Sequence, residues 1–149
     1  RSMLEKGPLI GFPVTGVQVV VDDGKAHSVD SSEMAFAEAA RAAWRETYHR
    51  AQPRVLEPVM RVVVEGPAEH AGGVMSSLMQ RRGTIVGSQE EDGASRVEAE
   101  VPLAEMFGYA TDLRSKTQGR AAYTMQFKAY EQVPKSVADE IVSKVGGNA

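Results

Sequence analysis

The chain has 149 residues, with 17 lysines and arginines against 20 aspartates and glutamates, a formal net charge of -3 and no cysteine. Hydrophobic residues at 42% and charged residues at 25% are ordinary globular composition, and the length allows one domain or two small ones around a real core. The missing cysteines exclude disulfides, zinc–thiolate sites and thiol nucleophiles, the acidic balance argues against whole-chain attraction to nucleic acid, and no apolar run approaches the ~18 residues of a membrane helix. A soluble, cytoplasmic protein is expected, with no membrane partner. Arg1-Ser2-Met3 reads as the end of a helix, so the chain is expected to be part of something longer.

In chain order, the valine-rich run from Val14 to Val21 predicts a strand, and Asp22-Asp23-Gly24 a turn. Asp30-Ser31-Ser32-Glu33 is a helix-start signal in which Asp30 can cap and Glu33 can answer it. The helix is expected to run to about Arg50, with Met34, Ala37, Ala40 or Arg41, Trp44 and Tyr48 on one stripe. Pro53 and Pro58 then break the pattern, which divides the chain into residues 1–52, residues 53–135 and a tail of residues 136–149.

The second region reads strand, helix, strand, strand, helix, strand. Val59 to Glu65 is the first strand, and Ala68 to Arg82 a helix with Val74, Met75, Leu78 and Met79 inward, stopped by Gly83. Thr84 to Ser88 and Arg96 to Val101 flank a turn at Glu90-Glu91-Asp92-Gly93, and Val97, Ala99 and Val101 alternate with charged residues as in a half-buried strand. Pro102 suits the first turn of a second helix, with Leu103, Met106, Phe107, Ala110 and Leu113 as its apolar face and Gly119 closing it. A last strand carries Tyr123, Met125 and Phe127 on one face, and Pro134 to Val145 forms a short terminal helix. The expected class is α+β, a strand–loop–helix portion followed by a ferredoxin-like βαββαβ domain.

Little in the chain has the spacing of catalysis. His27, His49 and His70 are not at helical spacing from one another, which gives a metal site no support. Glu90, Glu91 and Asp92 are too few oxygen donors for a calcium loop and read as a solvated hairpin tip. Gly72-Gly73 lacks the rest of a phosphate loop, so no GTP hydrolysis is expected of this chain. Ser31 and Ser32 near His27 and Asp30 have the residue types of a hydrolase, but capping accounts for them. Cations gather at Arg81-Arg82 and at Arg114, Lys116 and Arg120, where helix C-terminal charges facing solvent are the plain reading.

Two stretches change that reading. AEMFGYATDLRSKTQGR, residues 104–120, and the pattern GxxHxVDSSEMAF from Gly24 onward resemble the C-terminal end of elongation factor G, the bacterial translational GTPase. By that resemblance Ile10 to Tyr48 corresponds to the second half of a ribosomal-protein-like fourth domain, and Leu56 to about Pro134 to the fifth. It implies a ribosome-engaging chain that holds no cofactor itself, with GTP and magnesium bound elsewhere in the parent. It also implies that Gly24, Lys25 and His27 meet the tRNA–mRNA duplex at the decoding centre. Arg81, Arg82, Arg114, Lys116 and Arg120 would contact ribosomal RNA near the stalk base. A specialised or ribosome-recycling paralogue, a ferredoxin-like domain sensing a small molecule, and a small hydrolase using His27 are the alternatives. Self-association through the Val14–Val21 strand or the alanine-rich helix is a further expectation.

Overall fold

The computed structural model describes residues 2–22, 24 and 32–146, and the chain divides into two compact units, Arg1–Val55 with Val133–Ala149, and Leu56–Gln132. In the first unit, helix α1 (Ser2–Glu5) is a single turn. The loop after it is knit by backbone bonds from Gly7 N to Phe12 O (2.8 Å) and from Val14 N to Leu4 O (2.7 Å). The strand expected over Val14 to Val21 does not form. Valine favours extended backbone, but a strand is held by a ladder of cross-strand bonds, and no described strand lies beside this run. Val17, Val19, Val20 and Val21 stand exposed.

Helix α2 (Glu33–Thr47) is capped by Ser32, whose hydroxyl accepts from Ala35 N at 3.1 Å. The cap expected from the sequence, Asp30, lies outside the described residues. Ala37, Arg41, Trp44 and Tyr48 turn inward at the expected spacing, with the Trp44 and Tyr48 rings 5.3 Å apart, but Met34 is 77% exposed. A 3-10 turn (Tyr48–Ala51) ends the helix, and Gln52 beyond it takes a left-handed conformation. Buried Val55 and Val133 are joined by a backbone bond of 3.0 Å, and the terminal helix (Lys135–Gly146), α5 in chain order, follows.

The second unit is a four-stranded antiparallel sheet of order β2-β3-β1-β4, built from β1 (Leu56–Pro67), β2 (Thr84–Glu91), β3 (Ala94–Pro102) and β4 (Ala122–Gln132). With α3 (Ala71–Gln80) after β1 and α4 (Tyr109–Thr117) after β3, this is the expected ferredoxin-like plan. The register sets Val62 opposite Ala99 and Met125, and Val64 opposite Val97 and Tyr123. Alternation therefore sends one set of side chains to a single face, where Val62, Val64, Val97, Ala99 and Val101 form the core with Val74, Leu78, Met106, Tyr109 and Leu113. The other face carries Arg61, Arg96, Glu98, Thr124 and Gln126 around a shallow hollow of about 260 Å³. The β2–β3 hairpin turns at Asp92 (φ 52°) and Gly93 (φ 77°), the two left-handed residues of a tight hairpin turn.

Both helices of this unit are shifted from expectation. Helix α3 buries Ala71, Val74, Ser77 and Leu78, and Met79 is 54% exposed. Its left-handed terminal residue is Arg82 (φ 58°), one position before Gly83. The helix expected from Pro102 is interrupted: β3 runs through Pro102, a 3-10 turn covers Leu103–Glu105, and α4 begins only after Gly108 at φ 77°. No helix continues through that dihedral. The helical phase restarts at Tyr109, so Tyr109, Leu113 and Thr117 face inward while Phe107 (79% exposed) and Ala110 face solvent. Gly119 does close the helix, with its N–H on Arg114 O at 3.0 Å.

Candidate nucleic-acid interface

The cations singled out from the sequence separate into three kinds once their partners are known. Arg81 and Arg82, at the end of α3, are half-buried and spend their donors inside the second unit. Arg81 Nη1 donates to the carbonyls of Glu105 and Phe107, and its guanidinium lies 5.2 Å from the centre of the Tyr109 ring. Asp112 is 3.7 Å from the same guanidinium. Arg82 clasps the Glu57 carboxylate with two bonds of 3.0 and 2.9 Å and reaches Glu105 with Nε at 3.2 Å. The hydrogen bond to Glu57, above all, raises the Arg82 pKa further beyond its ordinary range. These two arginines staple β1, α3 and the 103–108 loop together.

Lys116 and Arg120 form the second kind. Lys116 is 3.5 Å from Asp112 one turn back, and Arg120 is 3.1 Å from Glu69. Exposed pairs of this sort are worth roughly 0–1 kcal/mol, so a phosphate can replace the carboxylate at little cost. Arg114 is the third kind. It is exposed on α4 and makes no ion pair among the described residues.

Helical spacing places Thr111, Arg114, Ser115 and Gln118 opposite the buried stripe of Tyr109, Leu113 and Thr117, and all four are exposed. This outward side of α4 offers hydroxyls, an amide and a guanidinium, with Asp112 set to the flank. Such a surface can meet phosphate and ribose oxygens. Sequence reasoning passes over Thr111, Ser115, Gln118 and the exposed position of Phe107. Starting the helical count at Gly108, a residue that tolerates a left-handed bend, is the signal that would have found them.

Burial raises the Tyr109 phenol above its ordinary value, and the neighbouring Ser77 hydroxyl, which donates to Val74 O at 2.7 Å, offsets this only in part. In the first unit Gly24 is exposed, while Lys25 and His27 lie outside the described residues. The hollows on the polar face of the sheet, about 170 and 260 Å³, are lined by Arg61, Arg96, Glu98 and other polar groups. They fall short of the ~300–1,000 Å³ apolar clefts that hold small ligands, which leaves the small-molecule alternative without support from them. Among the described residues no helix is long and apolar enough to cross a membrane.

Comparison with known proteins gives the same answer over both units. The family described as "Elongation factor G, domain IV" matches residues 1–52, and "Elongation factor G C-terminus" matches residues 54–141. "Elongation factor G 2" of Anaeromyxobacter dehalogenans is 59% identical over 149 residues, which is 100% of this chain and 22% of that protein. "Elongation factor G 1" of Syntrophus aciditrophicus is 57% identical over 145 residues, 97% of this chain and 21% of that protein. A crystal structure from Thermus thermophilus superimposes with a TM-score of 0.87 at 42% identity, covering 99% of this chain and 22% of that one. The chain thus spans about a fifth of the length of the relatives it matches.

Proposed function

Because the chain belongs to the elongation factor G family, over its fourth domain and C-terminus, we propose that it is the ribosome-engaging end of a translational GTPase that drives tRNA–mRNA translocation in the cytoplasm. The observation that carries this reading is the end-to-end match of both units, in order and at 59% identity, to a protein named for elongation. Neither matched family description is that of a nucleotide-binding domain, and the chain has no phosphate-loop sequence, so GTP and magnesium belong to the rest of the parent protein.

In this role the second unit sits against ribosomal RNA by the stalk base, with Arg114, Lys116 and Arg120 contacting phosphate. Arg81 and Arg82 serve the same end indirectly, by fixing the loop before α4. Gly24, Lys25 and His27 belong to the loop that the family resemblance assigns to the tRNA–mRNA duplex. A domain boundary near residues 52–53, with the terminal helix from residue 136 lying outside the ferredoxin-like domain, completes the proposed organisation. Co-sedimentation of the chain with ribosomes over a range of salt concentrations tests the reading. Binding that weakens steeply with salt is expected, and a chain that stays in the supernatant at low salt would overturn it.

A further inference from the structure

His70 is the one histidine of the second unit, and it stands at the start of α3. Its side chain is 22% exposed, and its Nε2 atom is buried without a hydrogen-bond partner. Glu69 Oε1 lies 3.6 Å from that nitrogen, too far for a hydrogen bond, and the same oxygen accepts from Arg120 Nη1 at 3.1 Å. One carboxylate oxygen can therefore serve two cations, and in the structure Arg120 holds it.

The fold brings the three residues together. Pro67 ends β1, and a 3-10 turn (Ala68–His70) follows, tied to the β2–β3 hairpin by Ala68 N on Gly93 O at 2.8 Å. A Cβ at Gly66 would come 2.8 Å from the Ala121 Cβ, so the glycine lets this end of β1 lie against the junction of α4 and β4. Arg120 is rooted in that junction by its own N–H on Thr117 O at 3.0 Å. The charged groups on the neighbouring elements are few. Helix α3 carries none, the hairpin turn carries Asp92, and on α4 Asp112 faces Arg81 and Lys116.

Protonation shifts this balance. An imidazole ordinarily becomes charged between about pH 8 and about pH 5, and then has an N–H at both ring nitrogens, whichever tautomer it held before. A buried donor shut off from water needs an acceptor within the protein. Glu69 Oε1 is the acceptor at hand, and the Glu69 side chain, 64% exposed, is free to swing the remaining distance. The positive end of α3 opposes an imidazolium here, so the approach of a carboxylate matters all the more. We propose that Glu69, His70 and Arg120 form a pH-sensitive latch. With His70 neutral the carboxylate holds Arg120, and with His70 protonated it turns to the ring and frees the Arg120 guanidinium for an anion. Resting on the ribosome-binding reading above, the latch makes one of its phosphate contacts respond to pH.

NMR of the chain alone tests the latch without a ribosome. The Arg120 Nε–Hε signal is expected to shift between about pH 8 and about pH 5 with the same midpoint as the His70 ring protons. Glu69→Gln and His70→Gln are each expected to abolish that shift. An Arg120 signal that stays fixed while His70 titrates would overturn the proposal. In titrations with large ribosomal subunits, lowering the pH from about 8 to about 6 is expected to tighten binding by about threefold more for the unaltered chain than for His70→Gln, the scale of one exposed ion pair. Equal pH dependence of the two chains would overturn the latch as a control on binding. No binding by the unaltered chain would overturn the ribosome reading and that control with it, while the NMR result still decides the latch.

Discussion

Leu113 and Phe107 stand six positions apart in a segment where the sequence suggests one helical phase and the structure adopts another, and truncating each in turn separates the two. Leu113 is 3% exposed and packs in the cluster of Val62, Val64, Leu78 and Tyr109. Leu→Ala at such sites costs about 2–5 kcal/mol, the transfer of the lost methyls plus the cavity left behind. Helix α4 is short and rests on the sheet through three buried side chains, so it can settle partway into the gap, which argues for the lower half of that range. For a domain of this size, about 2–3 kcal/mol lowers the melting temperature by roughly 8–24 °C. Phe107→Ala removes a larger side chain from solvent and is expected to change stability by under about 0.5 kcal/mol. Guanidinium melts followed by tyrosine circular dichroism, which reports the Tyr109–Tyr123 ring pair, measure both variants against the same m-value. A loss under about 0.5 kcal/mol for Leu113→Ala, or above about 2 kcal/mol for Phe107→Ala, would refute the interrupted helix and restore the continuous one from Pro102.

Arg82→Met should destabilise the second unit by about 1–3 kcal/mol, because it strands a mostly buried Glu57 carboxylate, while the salt slope of ribosome binding stays as it was. Arg114→Glu should do the reverse, flattening that slope and leaving the melt unchanged; binding curves at several salt concentrations beside thermal melts tell the two apart. Burial raises the Tyr109 phenol, so its neutral form is favoured in the folded state; the stability this supplies is complete below pH about 10 and is lost as pH rises further. Tyr109→Phe should flatten that alkaline decline in a series of melts from about pH 8 to about pH 11, and an unaltered decline would assign it to other groups. In the intact parent, His27→Ala should slow tRNA movement in rapid-kinetic assays and leave ribosome-stimulated GTP hydrolysis nearly unchanged; equal loss of both would end the tip-loop assignment. The exposed run of Val17, Val19, Val20 and Val21 should make the isolated chain self-associate, and light scattering that reports a strict monomer across a concentration series would contradict this.

The sheet of the second unit was legible because its pattern is local. Val97, Ala99 and Val101 alternate with charges, and Asp92-Gly93 is a turn whose chemistry identifies it, so strands and hairpin followed from neighbours in sequence. The errors arose where a distant group decides. Val14 to Val21 has the propensity of a strand and lacks a neighbouring strand among the described residues. Phe107 and Ala110 continue a plausible apolar stripe, yet one left-handed glycine resets the phase and puts both in solvent. Met79 and Met34 fail in the same way, each at the edge of a helix face whose limits are drawn by what packs on it. The candidate site was legible only as a list of cations, since charge is written in the sequence but its pairing across 25 residues, as between Arg82 and Glu57, is not.

On the proposed reading, that pairing narrows where RNA would be met. An arginine held by two carboxylate bonds in a half-buried position is already desolvated, and giving it to a phosphate would leave Glu57 a buried, unpaired charge. The cations on the open face of the sheet are similarly engaged, Arg61 and Arg96 with Glu98, and Lys128 with Glu100. The presence of Glu65, Glu98 and Glu100 keeps that face near neutrality, and no aromatic ring lines its hollow. The common mode in which a ferredoxin-like sheet stacks RNA on its open face is therefore unsuited to this unit. What remains is the helical side, where Arg114 is unpaired, Lys116 and Arg120 are loosely held, and the Phe107 carbonyl accepts from Arg81. On the proposed reading the second unit would engage a polyanion through this one small surface, because its other cations, Arg61, Arg81, Arg82, Arg96 and Lys128, are each within ion-pair distance of its own carboxylates.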